Sequence, residues 1–431
     1  MGTTADKLNK MLQSKAAIKA AISEKTGGDA GDVMSTYAEQ IMSISGGGGG
    51  ARKEVEEKDV HFYDYDGTLL YSYTVAEAQA LTALPPLPEH KGLIADGWNY
   101  TLEEIKAEND MCEVGALYRT DDGKTRLYVS TPMDNFTVSL SYYQTTAKGT
   151  VIDWGDGTTE TPSSSGNALP EHTYATAGDY MITITVTSGT IKLARASSSY
   201  CVMGLISNAN RSRIATLRKI EVGDNVTELQ GYCFYYCGCL RTITIPSATT
   251  LIGSYSFYYA YALKHVNFPR VASLAAYVTA SCGAMLALSL PPTLTSTGNY
   301  AFSSCTALRR LALPNSVTNI STYIARENKA MVRVKLPKNL GTIGGYSFNT
   351  CYALPRIKAP AATTAIATNA FYGCYGVLEY DFTECTSVPS LASNALTGIA
   401  TDTKIYVPAG LADDWKAASG WSTYASKIVG V

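Results

Sequence analysis

The sequence predicts a multidomain protein, mainly β with short helices, that ends in a long repeat solenoid. Three observations predict this. A short phrase recurs with its last apolar residue at Leu217, Leu240, Leu263, Met285, Leu308, Met331, Leu354 and Val377, in steps of 23 residues with one step of 22. Prolines keep the same beat at Pro246, Pro269, Pro291, Pro314, Pro337 and Pro360. Ahead of the repeats, aromatic and β-branched runs are broken at Asp66-Gly67 and Asp156-Gly157, the pattern of strands joined by tight turns.

The 431 residues allow two to four domains, and 46% hydrophobic with 17% charged residues is a soluble globular composition. A net charge of -2 and a pI near 6.1 argue against nucleic acid or an anionic membrane as partner, each of which calls for a basic stripe. No apolar run approaches the roughly 18 residues of a membrane span. Residues Met1 to Lys10 lack the charged-then-apolar layout of a secretory signal. No membrane insertion is therefore expected.

Residues 1–45 read as a helical attachment or oligomerisation segment, with Leu8, Met11, Leu12, Ile18, Ala21 and Ile22 on a helical period and a second helix at Val33–Ile44. The phrase "MSTYAEQIMSI", preceded by "KLNKMLQSKAAIKAAISEKTG", resembles the opening segment of bacteriophage tail-fibre and related structural proteins. That resemblance implies contact with other virion proteins through residues 1–45. A short amphipathic segment needs partners to bury its face, so a homo-oligomer is expected, a trimer being one form. Residues 46–52 begin with five glycines and form a flexible linker.

Residues 53–131 read as a small α+β module. Asp66-Gly67 turns a hairpin between "VHFYDY" and "TLLYSYT", and helices follow at Thr74–Leu81 and Thr101–Asn109, the first with Thr74 as N-cap and Glu77 three residues on. The run Asp64-Tyr65-Asp66-Gly67-Thr68 resembles the first motif of the haloacid-dehalogenase phosphatases, which implies Asp64 as nucleophile and Asp66 as general acid. That chemistry needs a lysine and a second acidic motif on later strands, whereas Asp121-Asp122 sits in a turn. No enzyme is expected, and the phosphatase is a minor alternative. The module as a whole looks like one found in phage structural proteins.

Residues 132–190 carry "VIDWGDGTTETP" and "EHTYATAGDYMITITV", which resemble the PKD type of immunoglobulin-like sandwich. Trp154 is expected in its core and His172 as a satisfied structural residue. Asp153 and Asp156 are too few carboxylates for a Ca²⁺ site.

Residues 191–377 form the solenoid and 378–431 its cap. In the unit Val332–Leu354, the alternation Val332, Val334, Leu336 predicts a strand with one buried face, closed by Pro337. Each unit buries its apolar face only against its neighbours. A small-residue column runs Cys237, Ala260, Cys282, Cys305, Asn328, Cys351 and Cys374, so the repeat sets the cysteine spacing and buried free thiols are expected. No cofactor or metal is called for. The phrase "AFSSCTALRRLALPNSVTNI" and its relatives at Ser347 and Ala370 resemble the leucine-rich repeats of BspA-like surface proteins. In the cap, a strand at Lys404–Val407 and helices at Leu411–Ala418 and Trp421–Ile428 would close the last rung with Trp415, Trp421 and Tyr424.

Six units place a tyrosine in one column, Tyr232, Tyr255, Tyr277, Tyr300, Tyr323 and Tyr346, which suits a stacked structural ladder. Others fall at variable sites: Tyr235, Tyr236, Tyr258, Tyr259, Tyr261, Tyr352, Tyr372 and Tyr375. Tyrosine offers a rigid ring with a polar tip at low entropic cost, so these are the binding candidates, with Tyr258, Tyr259, Tyr372 and Tyr375 expected to be exposed. The expected function is that of a non-enzymatic phage virion protein: a tail fibre, receptor-binding or capsid-decorating appendage. Made in the host cytoplasm, it would display the solenoid to a host cell-surface glycan or protein. The alternative is an adhesin on a bacterial cell surface.

Overall fold

The structure, a computed structural model, describes residues 58–431; the expected helical segment 1–45 and the glycine linker 46–52 lie outside the described residues. Strands β1 (Val60–Tyr63) and β2 (Leu69–Tyr73) form an antiparallel hairpin. Its turn needs glycine twice over. Gly67 has φ 89°, and a Cβ there would lie 2.7 Å from the Cβ of His265. Helix α1 (Val75–Ala80) opens on a complete capping box of Thr74 and Glu77. After β3 (Leu93–Trp98), α2 (Leu102–Glu108) repeats the device with Thr101 and Glu104 and ends on left-handed Asn109. With β4 (Cys112–Thr120) the sheet runs β2-β1-β4-β3, and β1 pairs parallel to β4. Phe62, Val114, Tyr118, Trp98 and Ile105 make this module's own core.

The next strands are β5 (Thr125–Thr131), β6 (Phe136–Ser139), β7 (Tyr142–Gln144), β8 (Thr150–Asp153), β9 (Thr159–Glu160), β10 (Gly166–Ala168), β11 (Glu171–Tyr174), β12 (Gly178–Val186) and β13 (Ile191–Leu193). The boundary expected at 131/132 is misplaced. Strand β5 pairs with β12 and with Leu217–Glu221, so it belongs to the unit that follows rather than to the small module. The other boundary, at 190/191, is crossed by two sheets. One runs β9-β8-β12-β5 and continues through Leu217–Glu221 to Thr242–Thr244; the other runs β10-β7-β13 and continues through Val226–Leu229 to Leu251–Ile252. One buried cluster accordingly extends from Leu127 through Trp154, Tyr174 and Ile184 into the rungs and on to Ile428.

The solenoid's short parallel strands include Thr242–Thr244, His265–Asn267, Ala287–Ser289, Arg310–Ala312, Arg333–Lys335 and Arg356–Lys358. The central residue of each points into the core: Ile243, Val266, Leu288, Leu311 and Ile357 are buried, and Val334 is partly so. Val332 is exposed, against expectation, because the strand in that unit spans only Arg333–Lys335. The strand ladder also passes the expected boundary at 377, continuing through Glu379–Asp381 and Lys404–Val407 to Ile428–Gly430. Trp415 and Trp421 are fully buried behind those last strands, with rings 4.5 Å apart. Trp415 lies in a helix spanning Ala412–Ala417 and Trp421 in a 3₁₀ segment spanning Trp421–Lys427.

Candidate binding surface

On the turn side of each rung the backbone repeats an unusual conformation. Tyr232, Tyr255, Tyr277, Tyr300, Tyr323 and Tyr346 all have φ between 55° and 65°, the left-handed region that non-glycine residues seldom enter. Four residues later the same conformation recurs at Tyr236, Tyr259, Ser281, Ser304, Glu327 and Thr350, and then at Gly373 and Gly398. Neighbouring rungs lock it by backbone hydrogen bonds such as Tyr277 N–H to Asn299 O and Tyr300 N–H to Thr322 O, 3.0 and 3.2 Å. The column tyrosines stack face to face over five successive pairs, with centroids 4.3 to 4.7 Å apart. The four inner rings, Tyr255 to Tyr323, have both faces spent on column neighbours, which leaves only their edges and hydroxyls for a ligand.

The variable tyrosines divide into two groups. Tyr261, Tyr352, Tyr372 and Tyr375 are 51, 40, 41 and 60% exposed. Tyr235, Tyr236, Tyr258 and Tyr259 are half-buried, so the expectation that Tyr258 and Tyr259 stand free is corrected. The cause is stacking: Tyr235 lies on Tyr258 at 5.5 Å and Tyr236 on Tyr259 at 4.8 Å. Burial pushes the Tyr235 phenol up to about 12. Arg211 adds a guanidinium 4.5 Å over the Tyr236 ring. Tyr352 and Tyr375 form a separate stacked pair at 5.7 Å.

The strand side of the solenoid is occupied by the small module. Asn267 Nδ2 donates to Ala116 O at 2.9 Å, and Asn99 Nδ2 donates to Phe268 O at 3.1 Å. Arg310 Nε meets Glu113 at 2.7 Å and Arg333 meets Asp59 at 2.5 Å. Arg270 grips Glu104 with two bonds of 2.7 Å, which holds that carboxyl below its usual range. At Asp59 desolvation outweighs Arg310 and raises the carboxyl. Lys335 pairs with Glu108, which also accepts from Asn315 N–H at 3.1 Å. No sequence signal announced this contact: strands of three residues with Arg or Lys at their ends read as solvated.

The small column is inward, as its register predicts. Cys282, Cys305, Cys351 and Cys374 direct their thiols to the carbonyls of Phe257, Thr279, Ala325 and Phe348, at 3.0 to 3.3 Å. Asn328 takes the same post with its amide on Phe302 O at 3.0 Å. In the two-sheet unit, Trp154 is buried with His172 stacked on it at 5.0 Å, and His172 Nε2 reaches Asp156 at 2.7 Å. Asp153 and Asp156 accept from Gly155 and Thr158 N–H groups within their own turns. Among the described residues no cluster of three His, Cys, Asp or Glu is placed to hold a metal. Asp64 is buried, accepts from Tyr65 N–H and lies 2.8 Å from His90; Asp66 caps its own turn through Thr68 N–H.

Residues 206–285 and 272–401 match the family model described as the BspA type leucine rich repeat region, in six copies. The repeats are of the BspA type. The BspA-type region thus extends beyond residue 377, in line with the strand ladder. Several solved structures are similar. A leucine-rich repeat protein from Bacteroides ovatus is 24% identical, over 42% of this chain and 49% of that one, with a TM-score of 0.38. A leucine rich repeat protein of T. pallidum is 22% identical over 39% of this chain and 67% of that one, TM-score 0.29. A leucine rich cell surface protein from Faecalibacterium prausnitzii is 18% identical over 50% and 83%, TM-score 0.22. The chain spans about half the length of the B. ovatus protein. No curated protein matches the chain.

Proposed function

We propose that the chain is a non-enzymatic attachment protein of a bacterial cell surface, whose BspA-type solenoid binds a glycan or protein through its turn side. The observation that carries this reading is the division of the solenoid between two roles. Its strand side is filled over several rungs by the chain's own α+β module, while its turn side leaves Tyr261, Tyr352, Tyr372 and Tyr375 exposed. Exposed tyrosines on a rigid scaffold suit recognition, because few rotamers are frozen on binding. The likeness of the repeats to those of BspA-like surface proteins supports the location.

The virion reading gives the solenoid the same task on a different bearer, and it rests on the resemblance of the N-terminal segments to phage structural proteins. Immunogold electron microscopy of the source cells and of any particles they release separates the two. Label on the cell envelope supports the adhesin, and label confined to particles replaces it with the virion protein. Attachment itself is tested by changing Tyr261, Tyr352, Tyr372 and Tyr375 together to Ser. Loss of cell binding at an unchanged Tm is the expected result; unchanged binding would sink the proposed surface.

A further inference from the structure

We infer that the cleft between Arg211 and Tyr235 is a subsite for a sugar ring that carries a carboxylate. This rests on the attachment reading and names the chemistry of one part of that surface. The solenoid's tyrosine stacks have a first member. Tyr255 lies on Tyr232, Tyr258 on Tyr235 and Tyr259 on Tyr236, but the positions one 23-residue step earlier are Ala209, Ser212 and Arg213, so the preceding turn supplies no ring. In its place a cleft of about 380 Å³ opens, lined by Ile206, Ser207, Asn208, Arg211, Tyr235 and Tyr236. That volume lies at the small end of the range of ligand sites, about 300 to 1,000 Å³.

Each lining group matches one feature of an acidic sugar. The C–H face of a pyranose packs against aromatic and aliphatic surface, here Tyr235 and Ile206. Hydroxyls find donors and acceptors at Ser207 and Asn208, which are not closed off from solvent. Arg211 supplies the charge. Its guanidinium lies over the Tyr236 ring, 4.5 Å from the centroid, and among the described residues it makes no ion pair. A guanidinium seated over a ring and outside any ion pair keeps N–H donors available for a carboxylate, which it can meet with two parallel bonds. An exposed, uncompensated arginine seated on tyrosine favours an anionic ligand over a neutral one.

The test uses the full chain and trisaccharides ending in glucuronate or N-acetylneuraminate, beside neutral counterparts ending in glucose or galactose, read by titration calorimetry. Wild type should prefer the acidic probes. Arg211→Gln should weaken that binding about tenfold, the scale of one charge-assisted pair, Arg211→Lys should restore part of it, and Tyr235→Leu should weaken it without changing the acidic preference. The neutral probes should not respond to Arg211→Gln. Equal binding of acidic and neutral probes, or an Arg211→Gln protein that binds like wild type, overturns the subsite even if cells are still bound through Tyr352, Tyr372 and Tyr375. Conversely, Arg211-dependent binding of acidic probes by a chain that attaches to no cell keeps the subsite and removes the attachment reading.

Discussion

Glu108 at the end of α2 and Lys335 in the solenoid, 227 positions apart, form an ion pair with side chains only 6% and 4% exposed. A buried pair contributes little against a well-packed apolar substitute, but removal of one member strands the other charge. Glu108→Ala should therefore destabilise the protein by about 3–5 kcal/mol, whereas Glu108→Leu combined with Lys335→Met should cost far less. Urea unfolding of the single and double variants measures the difference, and equal losses would mean that the pair is open to water.

His265 is fully buried where the solenoid meets Tyr63 and Gly67, and burial lowers its imidazole to about 4 despite the raising influence of Asn267, Glu113 and Asp66. Between that value and the ordinary 6.5 the unfolded chain holds the extra proton, so this residue's contribution to stability is present above pH 6.5 and is lost as pH falls towards 4. The loss is on the order of 3 kcal/mol. Asp59 and Asp64, both raised by burial, act with the opposite sign, so the useful quantity is the difference between wild type and His265→Gln across this window. A difference that stays flat from pH 7 to 4 would show that the imidazole is not held neutral.

The column thiols should label with a small maleimide only as the protein unfolds, since burial raises them well above the reactive range, while half-exposed Cys239 labels in the native state. Cys351→Ser should cost only about 1 kcal/mol, because the new hydroxyl inherits the Ala325 carbonyl that the thiol now faces.

In the tyrosine ladder, ring and backbone effects separate by choice of substitute. Tyr300→Asn loses two stacking partners but tolerates φ 58°; Tyr300→Val loses the same partners and adds the left-handed penalty of about 1–2 kcal/mol. The valine variant should unfold at lower denaturant by that margin, and equal midpoints would mean that the backbone relaxes.

For the phosphatase-like motif, wild type and Asp64→Asn should both leave p-nitrophenyl phosphate unhydrolysed above background. Turnover abolished by the substitution would reinstate Asp64 as a nucleophile.

The rungs were legible because the repeat samples the same physical constraint many times: Leu, Phe and Cys columns keep step whatever the intervening residues are. The left-handed turn was legible in principle too, since Asn369 and Asn394 take the tyrosine column's place with φ 56° and 59°, and asparagine is the side chain that best tolerates it. The destination of β5 was not, because alternation reveals that one face is buried but not against which sheet. Nor was the docking of the small module. Asp59, Glu108 and Glu113 find Arg310, Arg333 and Lys335 across more than 190 positions, and nothing in either segment alone marks its charges as paired. Tyr258 and Tyr259 are half-buried for a related reason: their rings are covered by neighbours in the adjacent rung, a lateral contact that the repeat spacing does not specify.

The docked module has a mechanical consequence. Rungs held only to their neighbours peel from a free end under tension one after another, each at a low force. Here a single folded body is fastened to successive strands, at Ser247 through Asp96, at Asn267, at Arg310, at Arg333 and at Lys335. It splints the middle of the array, so those rungs must yield together, and a pull along the solenoid would load the splint before the rungs could unravel.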